Sequence, residues 1–142
     1  MEIWTKKHRK VETMKRVKSI SDKRLIVEGR VNDKQAYFLL DTGASVGMYD
    51  DNQRKDYGLE KGMRYNGTLV GAGGEMRNVR VCNTFAEVEG KTIPQFLLAD
   101  IEGVVKSIKK ETGIEILGII GLPQMKIAGF GIDANSNEII VE

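Results

Sequence analysis

Cysteine, histidine and proline are nearly missing from this chain of 142 residues, which has one, one and two of them. With Cys82 alone, no disulfide can close within the chain, and an oxidising compartment gains no support. A nucleophilic Cys–His pair would have to use His8, which sits in a polar N-terminal run. Four nitrogen or sulfur ligands for a zinc site cannot be gathered. No metal or cofactor is therefore expected. Two prolines leave little scope for rigid linkers. No stretch approaches the roughly 18 apolar residues that cross a bilayer. The first 20 residues also lack the apolar segment of a signal peptide. The expectation is a soluble, cytoplasmic protein without a membrane partner.

Apolar residues make up 41% and charged residues 30%, the balance of a folded domain rather than a disordered chain. The length suits one domain with a sizeable core. Glycine is in excess, at 16 of 142 residues, roughly 11% against an average of about 7%. That suits a β-rich fold with many tight turns. Charge is unevenly spread. Residues 1–24 hold nine Lys/Arg against three Asp/Glu, or +6, and the remainder holds thirteen against seventeen, or −4. Residues 1–23 therefore read as a basic arm and 24–142 as the domain. Such an arm can touch nucleic acid; a solvated terminus is its ordinary role, and Ile3 and Trp4 suit packing onto the domain or a partner subunit.

Along the domain, 25–31 and 35–40 alternate as strands about an Asn32-Asp33 turn. Val46 to Tyr49 follows, then a short helix through Tyr57, with Asp50 or Asp51 capping its start and Gly58 its end. Tyr65–Val70 and Met76–Val81 read as arms of a glycine-rich hairpin. Phe85–Glu89 and Ile93–Ala99 pair about Gly90-Lys91. Residues 101–112 place Ile101, Val104, Val105 and Ile108 at helical spacing before Gly113. Ile114–Ile120 is a buried strand, 122–127 a helix opened by Pro123, and 130–133 with 138–141 a last hairpin. Glu111-Thr112-Gly113 reads as a helix end. Asp133 is a possible second carboxylate, with a turn role favoured.

One stretch concentrates the chemistry: Phe38-Leu39-Leu40-Asp41-Thr42-Gly43-Ala44-Ser45. Three large apolar residues end a strand, and a carboxylate follows at once. Burying it costs several kcal/mol unless it is hydrogen-bonded, paired or protonated. Gly43 lets backbone N–H groups approach it. A carboxylate so placed suits acid–base work. Taken alone, Asp-Thr-Gly after a strand is also ordinary turn chemistry.

Leu39-Leu40-Asp41-Thr42-Gly43-Ala44 resembles the signature of the retropepsin-like aspartic proteases, single-lobed relatives of pepsin. Gly67-Thr68-Leu69-Val70-Gly71-Ala72-Gly73-Gly74 lies where that family has its flap, and Ile119-Ile120-Gly121 where it has the strand behind the catalytic loop. The resemblance spans about residues 24–142. It implies a mostly β, closed-barrel acid-protease fold and an endopeptidase acting through two aspartates that share a proton. This chain has one Asp-Thr-Gly, so the resemblance implies a homodimer supplying Asp41 twice. Thr42 would brace the pair across the twofold axis and Gly43 would present its N–H to the carboxylate. Ala44 and Ser45 would edge the cleft. Val70, Gly71, Ala72, Gly73 and Gly74 would close over a peptide substrate. Pro123 departs from the family, which commonly has Asp or Asn there. Helix 101–112 is longer than the family needs and reads as an insertion near the cleft or the dimer edge.

Other functions fit less of the chain. A non-catalytic retropepsin-like module could hold a peptide or a second copy in the same groove. Asp41-Thr42-Gly43-Ala44-Ser45 loosely matches the phosphate motif of actin-like ATPases, which need two large lobes. A phosphate-cradling P-loop would need a Lys-Ser/Thr and a following helix after residues 67–74. Nucleic-acid binding would rest on the arm alone.

Overall fold

A computed structural model describes residues 14–71 and 74–142. The central hairpin, β2 (Ile26–Val31) and β3 (Lys34–Asp41), forms because its alternating residues bury one face. Asn32 and Asp33 both take positive φ (49° and 64°), as the tightest hairpin turn requires.

After Asp41 the chain loops into β4 (Gly47–Asp50), a 3-10 turn (Asp51–Gln53) and α1 (Arg54–Tyr57). Asp50 caps that turn by accepting from the Asn52 N–H at 3.2 Å, and Gly58 ends α1 in the left-handed conformation. Asp50 does more than cap. Its carboxylate is buried and also accepts from the side chains of Asn52 (2.9 Å) and Gln53 (3.2 Å).

Then come β5 (Lys61–Arg64), the two-residue β6 (Val70–Gly71) and β7 (Gly74–Glu75), and β8 (Arg80–Cys82). β9 (Ala86–Val88) and β10 (Lys91–Ile93) turn at Glu89 and Gly90, one residue earlier than expected. The expected single strand 93–99 is two strands. Pro94 lacks an N–H and Gln95 takes φ 66°, so pairing breaks there and β11 (Phe96–Ala99) starts afresh between β4 and β8.

The helix expected at 101–112 is α2 (Glu102–Thr112), with Val105 and Ile108 buried and Gly113 at φ 80°. β12 (Gly118–Gly121) leads into α3 (Leu122–Ala128), and β13 (Phe130–Asp133) and β14 (Glu138–Val141) finish the chain. Nine strands share one sheet in the order β10-β9-β2-β3-β12-β4-β11-β8-β5. β12 threads between β3, which it joins in parallel, and β4, which it joins antiparallel. Covered on both faces, it reads as an unbroken buried run. One core centres on Phe38, Tyr49 and Phe96, with Tyr49 stacked on Phe96 at 3.9 Å. Burial pushes the Tyr49 hydroxyl pKa up, and it donates to the Thr84 carbonyl at 3.0 Å. A second core packs α2 against Ile26, Leu97 and Ile119.

A separate sheet runs β1-β14-β13, where β1 (Lys15–Lys18) comes from the stretch expected as a basic arm. His8 and Trp4 lie outside the described residues. Arg16 bridges Asp133 (3.0 Å) and Glu138 (3.2 Å). Asp133 also accepts from the Asn135 N–H at 3.1 Å, so it holds the last turn rather than joining the Asp41 loop.

Asp100 accepts from the Glu102 N–H (3.1 Å) and the Asn52 side chain (2.7 Å), which hold its carboxyl below the ordinary value. The unfolded chain therefore binds this proton more readily. The stabilisation is present above the unfolded value and fades as pH falls through the folded one. Thermal melts across the acid range should show Asp100→Asn with a shallower loss than the parent. Parallel acid limbs would discount that link.

Candidate functional site

Asp41 ends β3 with Gly121 as its partner in β12. Its Oδ1 accepts from the Gly43 N–H at 2.9 Å, and its carbonyl from the Ala44 N–H at 3.1 Å. The Ala44 carbonyl in turn accepts from the Leu122 N–H at 3.0 Å, tying the loop to the start of α3. A Cβ on Gly121 would lie 2.8 Å from the Ala44 oxygen and 2.9 Å from that of Val46, so glycine lets the loop lie against β12.

Expectation had the carboxylate buried. Within one chain it is half-buried, and Thr42, Gly43 and Ser45 are exposed. The reason is position: Asp41 is the last residue of its strand, and Leu40 is the last that the core encloses. Among the described residues no cation forms an ion pair with Asp41. The second carboxylate considered, Asp133, is engaged by Arg16 and its own turn.

The hairpin is present but short. Val70 faces Glu75 and Gly71 faces Gly74. Ala72 and Gly73, named with them as substrate-binding, lie outside the described residues. Below the tip, Met76 N–H donates to Leu69 O (2.8 Å) and Tyr65 N–H to Val79 O (2.9 Å). Tyr65, Leu69 and Met76 pack on the same apolar cluster as Ala44 and Val46. One core thus carries both the Asp41 loop and the hairpin stem.

Sequence reasoning missed Gln124. It is buried, accepts from the Gly121 N–H through Oε1 (2.9 Å), and donates through Nε2 to the Pro94 carbonyl (2.6 Å). Its amide fills the space over Gly47, where a Cβ would come within 1.9 Å of Oε1. A Gln three residues after a helix's N-cap was the available signal. Among the described residues no three His, Cys, Asp or Glu are placed to hold a metal. No helix there is long and apolar enough to cross a membrane.

The fold that carries the Asp41 loop has counterparts of known structure. The EIAV protease, solved with the inhibitor HBY-793, superposes with a TM-score of 0.57 at 23% identity, over 80% of this chain and 95% of that one. A retroviral protease-like domain from Leishmania major gives 0.56 at 20% identity, over 84% and 88%. A retropepsin-like aspartic protease from Rickettsia conorii gives 0.54 at 18%, over 90% and 89%. No curated protein is matched by sequence. The fold is retropepsin-like. The aspartyl protease family model matches residues 27–123, and the chain belongs to that family.

Proposed function

We propose that the chain is an aspartic endopeptidase whose catalytic pair forms when two copies bring their Asp41 loops together. One observation carries this: the Asp41 carboxylate and its neighbours Thr42 and Gly43 are presented outward, with the carboxylate held by a backbone N–H. Leu122, hydrogen-bonded to that loop, is 36% exposed, so an apolar side chain flanks it. The C-terminal strand β14 already has β1 and β13 on its two sides, which favours the loop face for pairing.

Two carboxylates about 3 Å apart cannot both ionise, so the pair holds one proton. The ionised Asp41 takes a proton from water as the water oxygen attacks the peptide carbonyl. The protonated Asp41 gives its proton to the carbonyl oxygen, and the tetrahedral intermediate collapses as the amine leaves with a proton from the pair. Thr42 braces the loops, Gly43 orients the carboxylate, and Ala44 and Ser45 line the cleft. The hairpin 70–74 covers an extended peptide through backbone bonds and excludes water. The buried, unpaired Cys82 suits a reducing, cytoplasmic setting.

Dilution tests the shared site. Well below the dimer dissociation constant, the rate of peptide hydrolysis should fall with the square of protein concentration, in step with dimer loss by sedimentation. A rate linear in concentration throughout would refute it. A paired but inert protein would instead identify a peptide-binding module.

A further inference from the structure

We propose that the stem of the glycine-rich hairpin is an anion site that takes the carboxylate side chains of an extended acidic polypeptide. The assignment of that polypeptide as substrate rests on the protease reading; the site itself rests on the stem. Between the Tyr65–Val79 and Met76–Leu69 hydrogen bonds the two arms part, and a cleft of about 770 Å³ opens between them. Arg64 and Arg77 line it together with Tyr65, Asn66, Thr68 and Asn78. Asn78, at φ 58°, turns the chain there.

No ion pair among the described residues outside 70–75 compensates the charges in this cleft. Arg64 stands directly opposite Arg80 in the register of β5 and β8. Like charges so placed repel and destabilise the pair. Among the described residues, Arg16 is matched by Asp133 and Glu138, Arg24 by Glu111 and Arg54 by Asp51, while Arg30 donates to the Asp33 carbonyl. Among the described residues outside 70–75, no carboxylate lies within ion-pair distance of Arg64, Arg77 or Arg80. Two guanidinium forks beside neutral amide and hydroxyl donors match carboxylates in geometry and charge.

The surroundings favour a polypeptide over a small oxyanion. Among the described residues β5 is the last strand of the nine-stranded sheet, and its outer edge offers backbone groups to an extended segment. Met63, on that strand, is 78% exposed and adds apolar surface. An acidic segment that enters the cleft and runs on past β5 would cover Met63 and neutralise the arginines.

The test uses the full chain carrying Asp41→Asn, so that peptide is not consumed. Two ten-residue peptides, identical except for a Glu-Glu or Gln-Gln pair, are titrated while the backbone amides of Arg64, Tyr65 and Arg77 are followed by NMR. The acidic peptide should bind about ten-fold tighter at low salt, with the gap closing at high salt. An Arg64→Gln/Arg77→Gln double change should abolish the preference; both side chains are exposed, so the fold survives. Equal binding of the two peptides, no binding by either, or a preference that outlasts the double change would overturn the site. So would inorganic phosphate shifting these amides where the acidic peptide does not. Wild-type chain that cleaves peptides without acid preference would sink this site and spare the protease reading. Acid preference in a chain that cleaves nothing would do the reverse.

Discussion

Asp41→Asn should lower kcat/KM for peptide hydrolysis by about a thousand-fold or more while leaving the melting temperature nearly unchanged. Asparagine keeps a carbonyl oxygen where Oδ1 accepts from the Gly43 N–H, so the loop loses no hydrogen bond. It cannot take a proton from water, and this removes the base from both halves of the pair. Half-buried at a strand end, the side chain also contributes little packing. Mixing gives a sharper form of the experiment. When parent and variant exchange subunits freely, activity should follow the square of the parent fraction, because a mixed pair has only one competent carboxylate. Activity linear in that fraction, or a variant retaining several per cent of parent activity, removes Asp41 from the chemistry.

The largest effect on stability should come from Gly118→Val. A Cβ at this position would sit 2.2 Å from the Met48 carbonyl oxygen and 3.2 Å from its carbon, both backbone atoms. β3 and β4 hold β12 on both edges, so moving it aside costs strand pairing. The cost should be about 3 kcal/mol or more, seen as a fall of roughly 10 °C in melting temperature. Part of the strain would be relieved by displacing β12 from β3, which shifts Gly121 away from Asp41, so activity should fall further than stability alone accounts for. Gly103→Ala is the matched control. Nothing lies within 4 Å of a Cβ there, in the first turn of α2. It should stabilise by up to about 1 kcal/mol. A Gly118→Val protein that melts like its parent would show that β12 is not gripped as described.

Local chemistry explains which elements were legible in advance. The β2–β3 hairpin, α2 and the closing β13–β14 hairpin each carry their own stop signals: Asn32-Asp33, Gly113 and the turn at 134–137. Pro94 was visible too, but its effect depended on Gln124 waiting 30 residues later to receive the broken backbone. Gln124 itself looked like one more polar residue of a short helix. Lys15–Lys18 looked like solvated charge, because its partner, β14, lies at the opposite end of the chain.

By itself, the sequence determined that a carboxylate follows an apolar strand, that glycines flank it and form a hairpin later, and that only one such carboxylate motif is present. Nearest-neighbour chemistry suffices for these, since strand, turn and carboxylate are adjacent in the chain. Only the tertiary structure decided that β12 threads between β3 and β4, that Gln124 fills the space above Gly47, and that Asp41 faces outward instead of into its own core. Those outcomes depend on volumes and registers contributed by segments far apart in sequence, and no local pattern records what another strand will leave uncovered.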